Sequence, residues 1–188
     1  MRERILAAAL RQLNARGIKF TTAELARELG VSKRAIYGHY SSKEALVDAV
    51  LDSILADLRQ QIADIVQDEN LALPDKVKAL MVFHPKAFGP VNTQVIEDIK
   101  RFFPQGWRKF EEFFDERWRM LEEAIEDGVN RGYLAKVDLI ILKKIYMGAI
   151  DQLLDFQFLV HNNITFSDAM TKAAEILVEG LTVPSDKQ

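Results

Sequence analysis

Apolar residues recur every three or four positions along nearly the whole 188-residue chain, and nowhere does a run of four or more alternate apolar and polar between turn signals. A period near 3.6 seats one face of a helix on a core; a half-buried strand needs a period of two. The fold class this predicts is all-α. Ile5, Ala8, Ala9 and Leu13 make a first stripe that stops at Gly17, and a second helix runs from Thr22, whose hydroxyl can cap it, to Gly30. A third runs from Ser32 to about Tyr40, and Ser41 with Glu44 forms a capping box for a fourth that reaches about Asp68. Pro74 opens a helix that ends before Pro85, Phe88-Gly89-Pro90 makes a corner, and another helix is blocked at Phe103 by Pro104. Residues 105–131 read as one long amphipathic helix with Trp107, Phe110, Phe114, Trp118, Leu121 and Ile125 inward and Gly132 just past its end. Asp138 caps a long helix to His161, and Thr165 with Asp168 caps the last, which ends near Gly180. The tail from Pro184 is expected to fray.

Charge divides the chain more sharply than its net value of −3 suggests. Residues 1–46 carry nine Lys/Arg against four acids, a balance of +5, while the remainder stands at −8. A basic head on an acidic body points to a polyanion partner for the head. With no cysteine, disulfides, thiolate nucleophiles and Cys-based metal sites are excluded, and a cytoplasmic location is expected. Arg2-Glu3-Arg4 after Met1 interrupts any signal-peptide core, and no window has the roughly 18 apolar residues of a membrane span. Neither a membrane nor a cofactor is expected.

Residues 22–40, TAELARELGVSKRAIYGHY, have what two sharply crossing helices need. Ala26 is small at the crossing, Gly30 is free to take positive φ in the turn, and Leu25, Leu29, Val31 and Ile36 hold the angle. This is a helix-turn-helix pattern. Winding the third helix at about 100° per residue turns Ile36 and His39 to the core and Lys33, Arg34, Tyr37 and Gly38 outward. Lys and Arg at a helix start can donate to guanine O6 and N7, Ala35 can meet a thymine methyl, and Gly38 allows close backbone approach. Thr22 and Lys43 suit phosphates, so the expected DNA-facing set is Thr22, Ser32, Lys33, Arg34, Ala35, Tyr37, Gly38 and Lys43.

With Ala8-Ala9, Gly17, Thr21-Thr22, Leu25-Ala26, Gly30-Val31-Ser32, Ile36-Tyr37, His39-Tyr40 and Ser42 to Leu46, residues 5–46 resemble the DNA-binding domain of the TetR family of bacterial transcriptional regulators. The resemblance covers about a quarter of the chain. It implies a three-helix DNA-binding domain over residues 1–46 and a larger helical domain over 47–188 that dimerises and binds an effector. It also implies phosphate contacts from Thr22, Tyr37 and Lys43, base-edge positions for Lys33, Arg34 and Gly38, and Tyr40 packing the third helix to the fourth where the family usually has Phe. Arg34 stands where Gly is common and Ala35 where Thr is common, so the resemblance transfers no operator sequence. The first helix is expected to start almost at Met1, and no basic arm is expected to enter a minor groove.

The segment 138–161 is apolar on more than one face, a surplus that one core cannot absorb. The last two helices are expected to pair with their copies in a two-fold homodimer, with Ile150, Leu153, Leu154, Ala173, Ile176 and Leu177 at the interface. Two recognition helices about 34 Å apart then imply a near-palindromic operator. Met81, Phe83, His84, Trp107, Phe110, Phe114, Met147 and Phe158 can line a cavity for a small apolar or amphipathic effector, or can be packed core. His39, His84 and His161 have no metal-ligand spacing, and no metal is expected.

The rival reading is a helical small-molecule carrier or enzyme whose N-terminal helices are structural only. Acids at 111, 112, 115, 116, 122, 123, 126 and 127 fall on the polar face of the long helix, where solvation explains them better than catalysis does. No GxSxG or glycine-rich phosphate loop is present, so the chain is expected not to be an enzyme.

Overall fold

The computed structural model describes residues 1–82 and 93–183. Its helices are α1 (Arg2–Arg16), a short 3-10 turn (Gly17–Lys19), α2 (Thr22–Leu29), α3 (Lys33–Tyr37), α4 (Lys43–Gln67), α5 (Leu73–Met81), α6 (Thr93–Phe102), α7 (Pro104–Asn130), α8 (Leu139–Leu153), α9 (Phe156–His161) and α10 (Phe166–Leu181). Among the described residues there is no strand, only an isolated antiparallel bridge between Leu134 and Thr182, and no helix is long and apolar enough to cross a membrane. The expected Phe88-Gly89-Pro90 corner and the tail from Pro184 lie outside the described residues.

The chain packs as two compact units, Met1–Asp57 with Pro85–Phe110 and Leu58–His84 with Glu111–Gln188. In the first, Ile5, Ala8, Ala9 and Leu13 of α1 are fully buried, joined by Phe20, Leu25 and Ile36. Burying each large apolar side chain contributes about 1.5–3 kcal/mol, and this set fixes the three N-terminal helices on one another. α6 packs on the 3-10 turn and α1. Lys109, near the start of α7, reaches both Asp48 at 2.8 Å and Asp52 at 2.7 Å on α4. Partial burial works against its charge, but the bonds to the two carboxylates outweigh that and hold its pKa above the ordinary lysine value.

In the second unit α10 packs on α5 and α8. Its buried side chains include Leu80 and Met81 of α5, Phe113, Leu121 and Ile125 of α7, Leu142 and Tyr146 of α8, and Met170, Ala174 and Val178 of α10.

Local capping differs from the sequence expectation in four places. Thr21, not Thr22, caps α2: its hydroxyl accepts from the Glu24 N–H while the Glu24 carboxylate accepts from the Thr21 N–H. Ser42, not Ser41, caps α4, its hydroxyl accepting from Ala45 N–H at 3.1 Å. α3 stops at Tyr37, because Gly38 and His39 turn their N–H groups back to Arg34 and Ile36, and His39 is therefore exposed rather than in the core. The expected helix 138–161 is two helices. The Leu154 N–H closes α8 on Ile150, and the Asp155 carboxylate accepts from Gln157 and Phe158 N–H groups to start α9.

On α7 the inward stripe is also shifted. Phe113 is buried in place of Phe114, and Arg117 shares the buried face with Trp118, Leu121 and Ile125.

Candidate nucleic-acid interface

The turn between α2 and α3 is built on Gly30, whose φ of 66° and ψ of 33° lie in the left-handed region that favours glycine. The Gly30 N–H returns to Ala26 and Arg27 carbonyls and the Val31 N–H to Ala26, closing α2 at 3.0 Å. Ala26 is buried at the crossing, with Leu25 and Ile36 beneath it, while Leu29 and Val31 are half-buried. The Ser32 hydroxyl accepts from Ala35 N–H at 3.1 Å and starts α3.

That packing leaves one face of α3 in solvent. Lys33, Arg34, Tyr37 and Gly38 are exposed, Ser32 is exposed, and Ala35 is half-buried. The Tyr37 hydroxyl donates to the Thr22 hydroxyl at 3.3 Å, joining α3 to the first residue of α2. Thr22 is 8% exposed, and its hydroxyl oxygen is the acceptor in this contact. Lys43 is half-buried and folded over the head: its ammonium donates to the Ile18 carbonyl and lies 4.9 Å above the Phe20 ring. Tyr40 is buried, and its hydroxyl donates to the Arg2 carbonyl of α1 at 3.5 Å.

The acids of α2 face α1. Glu28 accepts from Arg11 at 2.8 Å and Gln12 at 2.6 Å, and Glu24 accepts from Arg16 at 2.6 Å. The Thr21 N–H and hydroxyl, followed by Arg16, hold the Glu24 pKa below the ordinary glutamate value; the Gln12 amide and then Arg11 do the same for Glu28. These pairs went unread in the sequence, although the Arg11/Arg16 and Glu24/Glu28 spacings were open to view.

The residues expected at an effector cavity are scattered. Phe83 and His84 lie outside the described residues. Trp107 and Phe110, in the first unit, are half-buried and stacked with centroids 5.9 Å apart. In the second unit Met81 is fully buried, Phe114 and Met147 are half-buried, and Phe158 is exposed. Sequence reasoning missed the buried polar pair there. Tyr146 donates to the Met81 carbonyl at 2.6 Å, which answers a carbonyl at the end of α5, and accepts from Arg117. Burial pushes the Tyr146 pKa up and that of Arg117 down. The visible signal was an arginine at 117 between Phe113 and Leu121 on a helical stripe.

Of the residues expected at a dimer interface, Ile150 is buried within its own unit, Leu153, Leu154, Ala173 and Leu177 are half-buried, and Ile176 is 71% exposed. Ile140, Ile141 and Ile145 add an exposed apolar stripe on α8.

Residues 5–50 match the family model of bacterial regulatory proteins, tetR family. Over 186 residues the chain is 27% identical to the HTH-type transcriptional regulator YvaF of Bacillus subtilis (strain 168), covering 99% of this chain and 98% of that one. Its fold is similar to that of a TetR transcription regulator from Haloarcula marismortui, with a TM-score of 0.75 at 20% identity over 97% of this chain and 98% of the other. It is also similar to the regulator FadR from Bacillus subtilis solved with stearoyl-CoA, with a TM-score of 0.63 at 15% identity over 95% and 98% of the two chains. These relatives are transcriptional regulators, in agreement with the expectation that the chain is not an enzyme, and they disfavour the carrier-or-enzyme alternative. Residues 5–50 thus carry the signature of the tetR family of bacterial regulatory proteins, and the chain as a whole is similar in sequence and fold to transcriptional regulators.

Proposed function

We propose that the protein is a cytoplasmic, homodimeric regulator that binds near-palindromic duplex DNA through α3 and is released from it by a small apolar or amphipathic effector, acting as a repressor. The observation that carries this reading is the solvent-facing side of α3. Lys33, Arg34 and Tyr37 are exposed together on a helix anchored by the buried Ile36, with Tyr37 fastened to Thr22. Ser32, Lys33, Arg34, Ala35 and Gly38 then meet base edges in the major groove, and Thr22, Tyr37 and Lys43 meet phosphates. For Lys43 this requires its ammonium to share or leave the Ile18 carbonyl.

In this reading residues 1–46 are the DNA-reading head and 47–188 the regulatory and dimerising body. The exposed Ile140, Ile141, Ile145 and Ile176 support a second copy pairing along α8 and α10, with Leu153, Leu154, Ala173 and Leu177 at its margin. An effector acts by binding the conformation with separated heads better than the DNA-ready one, which lowers operator affinity by that ratio. The acyl-thioester bound by the Bacillus subtilis neighbour supports a long-chain effector class. Selection of duplexes from a random-sequence pool tests the core of the proposal. Enrichment of a two-half-site sequence is expected, and recovery of no preferred sequence would contradict it.

A further inference from the structure

The nine basic side chains of residues 1–46 are not equally available. Arg11 and Arg16 are answered by Glu28 and Glu24. The Arg2 guanidinium lies 5.4 Å above the Tyr40 ring, and Lys43 is folded onto the Ile18 carbonyl. Among the described residues, Arg4, Lys19, Arg27, Lys33 and Arg34 make no ion pair. Lys33 and Arg34 belong to the recognition face already described. Arg4 sits in the first turn of α1, and Lys19 in the 3-10 turn that packs on α6. Arg27 remains, and it is on the same helix as Thr22.

The winding of α2 says which way Arg27 faces. Thr22, Leu25 and Ala26 are buried and Leu29 half-buried, which fixes the inward direction. Glu24 and Glu28 stand on one flank, about 110–150° from that direction, where Arg16 and Arg11 of α1 meet them. Ala23 and Arg27 fall about as far round on the opposite flank, the one α1 does not occupy. Arg27 is exposed there, about 7.5 Å along the helix from Thr22, the residue that receives the Tyr37 hydroxyl.

We propose that Arg27 is a further DNA-positioning residue, which donates to a backbone phosphate beyond the one met at the start of α2 and reads no base. The inference rests on the DNA-binding reading above. An arginine suits this role because its planar guanidinium can donate two parallel bonds to phosphate oxygens and never loses its charge. A phosphate contact adds affinity equally to matched and mismatched duplexes and releases condensed counterions.

The experiment measures duplex affinity against salt for the full-length protein, using a duplex enriched from a random pool by the wild type and a scrambled control. Arg27→Ala is expected to weaken both duplexes by a similar factor and to reduce the slope of log K against log salt by about 0.9 for each protomer bound. Arg27→Lys is expected to keep the wild-type slope. Arg11→Ala, which removes a charge already paired within the head, is expected to keep it as well. A wild-type slope in Arg27→Ala, or a loss confined to the enriched duplex, would overturn the inference while leaving DNA binding intact. Failure of the wild type to enrich any duplex would overturn both.

Discussion

The hydroxyl of Tyr37 on α3 donates to the hydroxyl of Thr22 on α2 at 3.3 Å, so the exposed face of α3 is tied to the first residue of its neighbour. A tyrosine on a solvated helix ordinarily samples several rotamers, and this bond selects one. Tyr37→Phe keeps the ring and removes the bond. Its stability is expected to fall by only about 0.5–1.5 kcal/mol in urea unfolding, while its affinity for an enriched duplex falls about tenfold or more. Unchanged affinity would show that the pair is structural only.

Two glycines in the head have positive φ for different reasons. Gly30, at φ 66°, has open space where a Cβ would stand. Gly17, at φ 64° and ψ −158°, occupies a region that is essentially glycine's alone, and a Cβ there would stand 2.6 Å from the Asp98 carboxylate of α6. Gly30→Ala is expected to cost about 1 kcal/mol and Gly17→Ala about 2–3 kcal/mol, a ranking checked by chemical denaturation. The reverse order would contradict this account of the α1–α2 turn.

In the second unit Tyr146 answers the Met81 carbonyl at the end of α5 and receives the Arg117 guanidinium. Tyr146→Phe leaves both groups to find other partners in a buried setting. The expected loss is about 1–3 kcal/mol, read as a lower midpoint in urea, with no large change in helical content by circular dichroism. A midpoint equal to wild type would contradict it.

Acid should weaken the head through Glu24 and Glu28. Both have folded-state pKa values below the ordinary 4.5, so their stabilisation is complete above that value and is lost as pH falls through the folded values. The melting temperature is expected to decline below about pH 4.5 and to decline less steeply in Glu28→Gln. Parallel profiles for the two proteins would remove Glu28 from the explanation.

Much of this architecture was legible because its signals are local. The stripe Ile5, Ala8, Ala9 and Leu13 needs only helical period, and Gly30 and Pro104 punctuate the chain through their own backbone limits. The misreadings came where two neighbours could do the same job. Thr21 and Thr22, and Ser41 and Ser42, are equally able caps by type; at α2 the cap at Thr21 leaves its successor Thr22 buried. The split at Leu154 and Asp155 was masked by apolar residues running on through Phe156 and Phe158, although Asp155 is a good cap. Long-range pairings such as Arg117 with Tyr146 depend on how helices distant in sequence meet, and no local pattern encodes that.

The most direct test of the central claim is the sequence preference of the exposed α3 face. Affinities for an enriched duplex and its scrambled counterpart are compared at one salt concentration in wild type and in the Lys33→Ala, Arg34→Ala double variant, with folding checked by circular dichroism. The wild type is predicted to prefer the enriched duplex by about a thousandfold or more, and the folded variant to lose most of that preference. A folded variant that discriminates as well as the wild type would contradict the assignment of α3 as the reading helix.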